Sequence, residues 1–142
     1  MKENKIFYSY SIPDTERIAK FISEKLISKS CVYISGDVGS GKTYLSKFIV
    51  NNFEVNDLNS ATYSKVSIFK GSLNIIHCDF YNIKPDQTFI ESEILPNLIY
   101  PWLFIVEWPH VVYEIESNQL VSIKLEVIGK HARKISFTTF TQ

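Results

Sequence analysis

The chain of 142 residues is the size of one domain, and a composition of 45% hydrophobic and 21% charged residues excludes intrinsic disorder and collagen-like repeats. Fifteen basic residues balance fifteen acidic ones, which disfavours a protein that grips RNA unaided, and two cysteines, Cys31 and Cys78, are too few for a disulfide framework and point to reduced thiols. The polar start, Met1 to Lys5, leads into no signal-like stretch, and the longest apolar run, Leu98 to Val106, contains Pro101 and is too short for a bilayer; the expectation is a soluble, cytoplasmic chain without membrane contact, one domain over residues 1–142.

Phe7 to Ser11 is β-prone. Pro13 and Asp14 open a helix whose apolar positions Ile18, Phe21, Ile22 and Leu26 recur with the helical period. Cys31 to Ser35, β-branched and aromatic and ending at Gly36, reads as a buried strand. Gly36 to Thr43 is then a loop, and Tyr44, Leu45, Phe48 and Ile49 give the following helix an apolar face. The polar, turn-rich stretch from Asn51 to Gly71 reads as a mobile loop. Asn74 to Tyr81 and Leu103 to Trp108 are apolar strands of the kind found in parallel sheets. Phe89, Tyr100, Trp102 and Phe104 read as core and helix-packing residues, and Cys31 and Cys78 as small hydrophobes in neighbouring strands. Val121 to Ile128 and Lys134 to Thr139 alternate apolar with polar residues about a break at Gly129, as an antiparallel hairpin added at the sheet edge would. Alternating helices and strands imply a three-layer α/β fold.

Gly36, Asp37, Val38, Gly39, Ser40, Gly41, Lys42 and Thr43 satisfy G-x-x-x-x-G-K-[ST], the loop that cradles nucleotide phosphates. Its glycines let backbone N–H groups turn inward around phosphate oxygens, Lys42 reaches the β- and γ-phosphates, and the Thr43 hydroxyl binds Mg²⁺. The loop holds three of the five glycines, follows a strand and opens an amphipathic helix whose positive end faces the same oxygens. The expected fold is thus P-loop NTPase-like, with a mainly parallel central sheet and a C-terminal antiparallel hairpin. Such a site needs an acid at the carboxyl end of a neighbouring strand, and Asp79 and Glu107 both qualify; composition leaves open which of them touches the metal.

The loop, followed by Ser60-Ala61-Thr62-Tyr63-Ser64, His77-Cys78-Asp79-Phe80-Tyr81 and Val106-Glu107-Trp108-Pro109, resembles the TsaE (YjeE) family, the small ATPases of tRNA threonylcarbamoyladenosine synthesis, over nearly the whole chain. The resemblance implies ATP and Mg²⁺ as cofactors. It implies phosphates held by Lys42 and the loop backbone, Mg²⁺ by Thr43 and Glu107, and Asp79 near the γ-phosphate, so that Lys42, Asp79 and Glu107 form the catalytic set. It places Thr62 in a switch-like loop, makes Trp108 important for activity, and lines the nucleotide with Arg133 and Thr15. It also implies TsaB and TsaD as partners, with tRNA reached through their complex. Ala61 stands where the family has proline, Lys65 where it has an apolar residue and Asn82 where it has arginine, and no glycine precedes the Glu107 strand between Lys84 and Pro101; these departures bear on partner contacts and regulation.

Competing readings are a small-molecule kinase, which would need lid arginines, and a non-hydrolysing nucleotide-binding scaffold. The guanine-reading N-K-x-D is absent after the loop, which disfavours a GTPase. The chain has two arginines, Arg17 and Arg133, and without an arginine finger the isolated chain is expected to hydrolyse ATP slowly and to accelerate on assembly. His77 reads as a packed or surface side chain, and Lys124, Lys130, His131, Arg133 and Lys134 as a solvated hairpin face by default, with a role beside nucleotide or RNA backbone as the alternative.

Overall fold

The computed structural model describes residues 1–55, 61–63 as backbone, and 65–142. Its strands are β1 (Lys2–Ser9), β2 (Ser30–Gly36), β3 (Ala61–Tyr63), β4 (Val66–Lys70), β5 (Asn74–Asp79), β6 (Trp102–Glu107), β7 (Gln119–Val127) and β8 (Arg133–Thr141); its helices are α1 (Ile12–Lys25), α2 (Lys42–Asn51) and the single turn α3 (Gln87–Phe89). The strands form one sheet in the order β1-β8-β7-β2-β6-β5-β4-β3. The four central strands, β7, β2, β6 and β5, run parallel, and both flanks are antiparallel. The result is an α/β sheet with a parallel centre, as the sequence predicts.

Strand periodicity splits the interior into two cores. Val32 and Ile34 of β2 and Leu103 and Ile105 of β6 face α1 and α2, joining Ile18, Ile22, Leu45 and Ile49. The intervening residues Cys31, Tyr33, Phe104 and Val106 face the opposite layer, where Ile90 and Ile94 pack on Phe80. That layer continues α3 as a π turn (Ile90–Ile94) and a 3₁₀ turn (Leu95–Asn97). The Ser11 side chain caps α1 by accepting from the Asp14 N–H at 3.2 Å, and Pro13 fills the first turn, where a missing N–H costs nothing. No helix among the described residues is long and apolar enough to cross a membrane.

Four expectations are corrected. Asn51–Gly71 is not simply a loop: it contains β3 and β4, because the short apolar run from Val66 to Phe69 hydrogen-bonds along β5 (Ser67 opposite His77, Ile68 opposite Ile76) and buries Val66. Residues 56–60 and 64 of that stretch lie outside the described residues. The C-terminal hairpin β7–β8 is not at the sheet edge; β1 pairs along the whole of β8 and takes the edge itself, which extends the β-prone segment back to Lys2. Cys31 and Cys78 are not on neighbouring strands, since β6 runs between them with Phe104 opposite Cys31 and Val106 opposite Cys78. Tyr100 is exposed, in the turn before β6, whereas Trp102 and Phe104 are core residues as expected and Phe89 packs partly buried against Phe80.

Candidate nucleotide site

β2 ends at Gly36 and α2 starts at Lys42, so the glycine-rich loop connects a central parallel strand to a helix N-terminus. Two features of this turn require glycine. At Gly36 a Cβ would stand 2.6 Å from the Leu125 carbonyl oxygen and 2.7 Å from Ser40 Oγ, and Gly39 and Gly41 adopt φ of +80° and +102°. The Ser40 hydroxyl is buried and finds no hydrogen-bond partner among the described residues.

Lys42 is buried, and its ammonium donates to the Gly36 and Asp37 carbonyl oxygens at 2.6 and 2.8 Å. The same nitrogen lies 4.1 Å from the centroid of the Trp108 ring. Burial pushes the Lys42 pKa down, against the pull of the negative charges on Glu107, Asp37 and Asp79.

Asp79 and Glu107 end adjacent parallel strands as register partners. Their side chains therefore leave the sheet on one face, the face that α2 covers. Glu107 is only 2% exposed. Its Oε1 accepts from the Thr43 hydroxyl at 3.1 Å, and its Oε2 lies 2.6 Å from His77 Nε2. Burial pushes the Glu107 carboxyl up, but hydrogen bonds from His77, Thr43 and Ser46 and attraction to the His77 ring outweigh it, leaving the pKa below the ordinary value. Asp79 keeps a more open position and accepts from the Tyr81 N–H through Oδ1 at 3.1 Å.

Trp108 directly follows Glu107 with a left-handed φ of +60°, a conformation that costs a bulky residue about 1–2 kcal/mol. Its N–H donates to the Ile34 carbonyl at 3.1 Å and its ring leans on Tyr81 at 4.9 Å, so the strained geometry is held from two sides. Arg133 reaches across from the start of β8: its Nε donates to the Ser40 carbonyl at 3.0 Å and Nη2 approaches the Gly39 carbonyl at 3.4 Å.

These groups surround a cleft of about 390 Å³ lined by Val38, Gly39, Gly41, Lys42, Thr43, Tyr44, Asp79, Tyr81, Glu107, Trp108 and Arg133. A smaller recess of about 180 Å³, sharing Gly41, Tyr44 and Arg133 with it, is lined by Thr15, Ser9, Ser40, Phe48 and His131 among others. The predicted residues thus converge, including Thr15, which lies 118 residues before Arg133 in sequence. Gly36 and Asp37 serve from behind, through close packing and the carbonyls that hold Lys42. The Thr62 side chain lies outside the described residues.

Three readings of individual residues change. Tyr44, assigned to an apolar helix face, is 61% exposed and lines the mouth of both cavities. His131, whose default reading is a solvated hairpin face, lines the recess beside Arg133, which the family resemblance places beside the nucleotide; Lys124 does sit on a solvated face, 3.8 Å from Glu126. His77, read as a structural side chain, holds the buried acid. The signal for His77 was present in the strand period, because a residue two before Asp79 must share its face.

The donor set suits Mg²⁺. A hydroxyl and a carboxylate are hard oxygen ligands, and Thr43 and Glu107 already lie within hydrogen-bond distance of each other. Among the described residues no group of three or more His, Cys, Asp or Glu side chains could cage a metal alone. Mg²⁺ takes one or two carboxylates and completes its shell with phosphate and water.

Comparison with known proteins identifies the family and the fold. The family model described as "Threonylcarbamoyl adenosine biosynthesis protein TsaE" matches residues 9–135. Among curated relatives, the protein named "tRNA threonylcarbamoyladenosine biosynthesis protein TsaE" from Rickettsia felis is 28% identical over 89% of this chain and 75% of its own. Those of the same name from Borreliella burgdorferi and Bacillus subtilis are 30% and 27% identical, over 79% and 88% of this chain and 93% and 79% of theirs. The crystal structure of Bacillus subtilis YdiB shares the fold, with a TM-score of 0.74 over 97% of this chain and 86% of that one at 20% identity.

Proposed function

The chain belongs to the TsaE family, and on that premise we propose that it is a cytoplasmic, Mg²⁺-dependent ATPase of one domain, residues 1–142, in the machinery that makes tRNA threonylcarbamoyladenosine. It acts with the TsaB and TsaD proteins and reaches tRNA through their complex. The observation that carries the ATPase reading is the pair Asp79 and Glu107, side by side at the ends of β5 and β6 and tied through Thr43 to the phosphate loop. The names of the relatives carry the tRNA reading.

ATP lies with its triphosphate in the larger cleft and its nucleoside toward the recess beside Thr15, Tyr44 and Arg133. The loop amides and the α2 N-terminus take the phosphate oxygens. Lys42 leaves the Gly36 and Asp37 carbonyls for the β- and γ-phosphates. Thr43 and Glu107 would hold Mg²⁺, which when bound would supply neutralisation of the negative charge on the phosphates. Asp79, whose Oδ1 is fixed by the Tyr81 N–H, orients the attacking water with its other oxygen. The water oxygen bonds to the γ-phosphorus as the bond to the β–γ bridging oxygen breaks; the electron pair of that bond stays on ADP and one of the water's protons passes to a phosphate oxygen, giving ADP and dihydrogen phosphate.

Turnover by the isolated chain is slow on this reading. Arg133 gives its nitrogens to main-chain carbonyls of the loop and of its own turn, and Arg17 pairs with Asp14 on α1. Neither offers a guanidinium to the transferring phosphoryl group, a contribution worth about 10³–10⁵ in rate. The test is ATP turnover with and without TsaB and TsaD, together with the yield of threonylcarbamoyladenosine. Stimulation with modified tRNA supports the proposal; turnover at tens per second by the chain alone, or modification that proceeds equally without it, refutes it.

A further inference from the structure

We propose that His77 is a positioning residue for the metal-binding carboxylate: it fixes which oxygen of Glu107 faces the nucleotide cleft. The inference rests on the reading above in which Glu107 binds Mg²⁺. It starts from a division of labour on one carboxylate. Oε1 meets the Thr43 hydroxyl at 3.1 Å on the cleft side, and Oε2 meets His77 Nε2 at 2.6 Å on the side of β5. An ionised carboxylate only accepts, so Nε2 carries the proton and donates it.

The sheet builds this contact. His77 stands opposite Ile105 in the parallel register, and Glu107 is two residues further along β6, so the pair is a diagonal neighbour on the face covered by α2. The Glu107 side chain is 3% exposed and that of His77 18%, so water competes little for the bond. A glutamate has three rotatable side-chain bonds, and without His77 only the flexible hydroxyls of Thr43 and Ser46 restrain its carboxylate from turning over. With Oε2 held from behind, Oε1 alone is presented beside Thr43. Partners that orient a ligand in this way typically change metal affinity by about 10–100-fold when removed.

The prediction concerns the metal and not the nucleotide. His77 is absent from the lining of both nucleotide cavities, so removing its donor should leave metal-free nucleotide binding alone. The experiment measures Mn²⁺ affinity by electron paramagnetic resonance with a non-hydrolysable ATP analogue bound, and analogue affinity in EDTA by calorimetry. The variants are Glu107→Ala, His77→Phe, His77→Gln and His77→Asn, each confirmed folded by its melting transition. His77→Phe keeps a ring without a donor and is expected to weaken Mn²⁺ about 10–100-fold. His77→Gln restores an N–H donor at similar reach and should stay within about threefold of the parent, and His77→Asn, one bond shorter, should fall between. All three should bind the analogue normally in EDTA.

In the Glu107→Ala background, adding His77→Phe should cost nothing more. If Glu107→Ala weakens Mn²⁺ while His77→Phe does not, the positioning role is overturned and the metal site stands. Equal losses in the Phe and Gln variants overturn it too, because packing alone would then explain the effect. Should the Phe variant not fold, the Gln–Asn comparison decides: indistinguishable Mn²⁺ affinities refute the role. If Glu107→Ala leaves Mn²⁺ affinity unchanged, the metal reading itself falls and the inference with it.

Discussion

The ammonium of Lys42 lies 4.1 Å from the centroid of the Trp108 ring while donating to two carbonyls of its own loop. A buried cation over an indole face is stabilised by about 0.5–2 kcal/mol, so the ring and the two carbonyls together stand in for phosphate. Nucleotide must draw the lysine away, and Trp108 reports the move. The expected outcome is a saturable change in tryptophan emission on adding ATP that is lost in Trp108→Phe, since Trp102 is buried in the opposite core. Lys42→Ala should abolish nucleotide binding in calorimetry. An emission change that survives Trp108→Phe would contradict this account.

Glu107→Ala separates binding from turnover. The loop amides and Lys42 remain, so ATP affinity without metal should stay within about threefold, while Mg²⁺-dependent hydrolysis drops by about 10²-fold or more. Removing the buried acceptor also orphans donors from Thr43 and His77, which should cost about 1–3 kcal/mol in a urea titration. Unchanged turnover would take Glu107 out of the site.

The glycines of the loop differ in why they are needed. Gly36→Ala places a methyl 2.6 Å from the Leu125 carbonyl, so β7 or the loop must shift; about 2–3 kcal/mol of stability should be lost along with nucleotide binding. Gly39→Ala meets nothing within 4 Å and bears only its positive φ, about 1–2 kcal/mol. Urea midpoints in the reverse order would show that space at Gly36 is not limiting.

Arg133 ties the hairpin to the loop through the Ser40 and Gly39 carbonyls. Arg133→Ala should weaken ATP binding and lower Tm. Arg133→Lys should rescue little, because one ammonium cannot span carbonyls that the guanidinium reaches with separate nitrogens. Full rescue by lysine, read by calorimetry, would reduce Arg133 to a point charge.

The two cysteines set a high-pH limit. Burial raises Cys31 and Cys78 from 9.0 to about 12 in the folded chain. The unfolded chain loses these protons near pH 9 and the folded chain only near pH 12, so the contribution to stability is complete below pH 9 and declines from there to pH 12. Urea unfolding at pH 8 and 10.5 should show a lower midpoint at the higher pH, and the difference should shrink in Cys31→Ala/Cys78→Ala. In the native protein both thiols should resist alkylation at pH 8.

How far the sequence could be read follows from the range of the interactions. The phosphate loop, its helix and the strands ending at Asp79 and Glu107 are encoded by local periodicity and glycine spacing, and both acids emerged from their position after apolar runs. β4 was hidden, because its short run from Val66 to Phe69 becomes a strand only by pairing with β5. β1 likewise becomes the sheet edge only by finding β8, whose Arg133 pairs with Ser9 and whose Phe140 pairs with Lys2 at the other end of the chain. Residue order alone names the acids but does not pair His77 with Glu107 or place Tyr44 beside the cleft.

What the sequence by itself determined was a phosphate-binding loop on a parallel α/β sheet with two acids beside it, since backbone conformation and side-chain alternation are properties of a few consecutive residues. Only the tertiary structure decided that Glu107 is the buried acid gripped by Thr43 and His77, that Asp79 stays open, and that Arg133 holds the loop. Those outcomes depend on strand order and register, which set distances between residues that the chain itself keeps far apart.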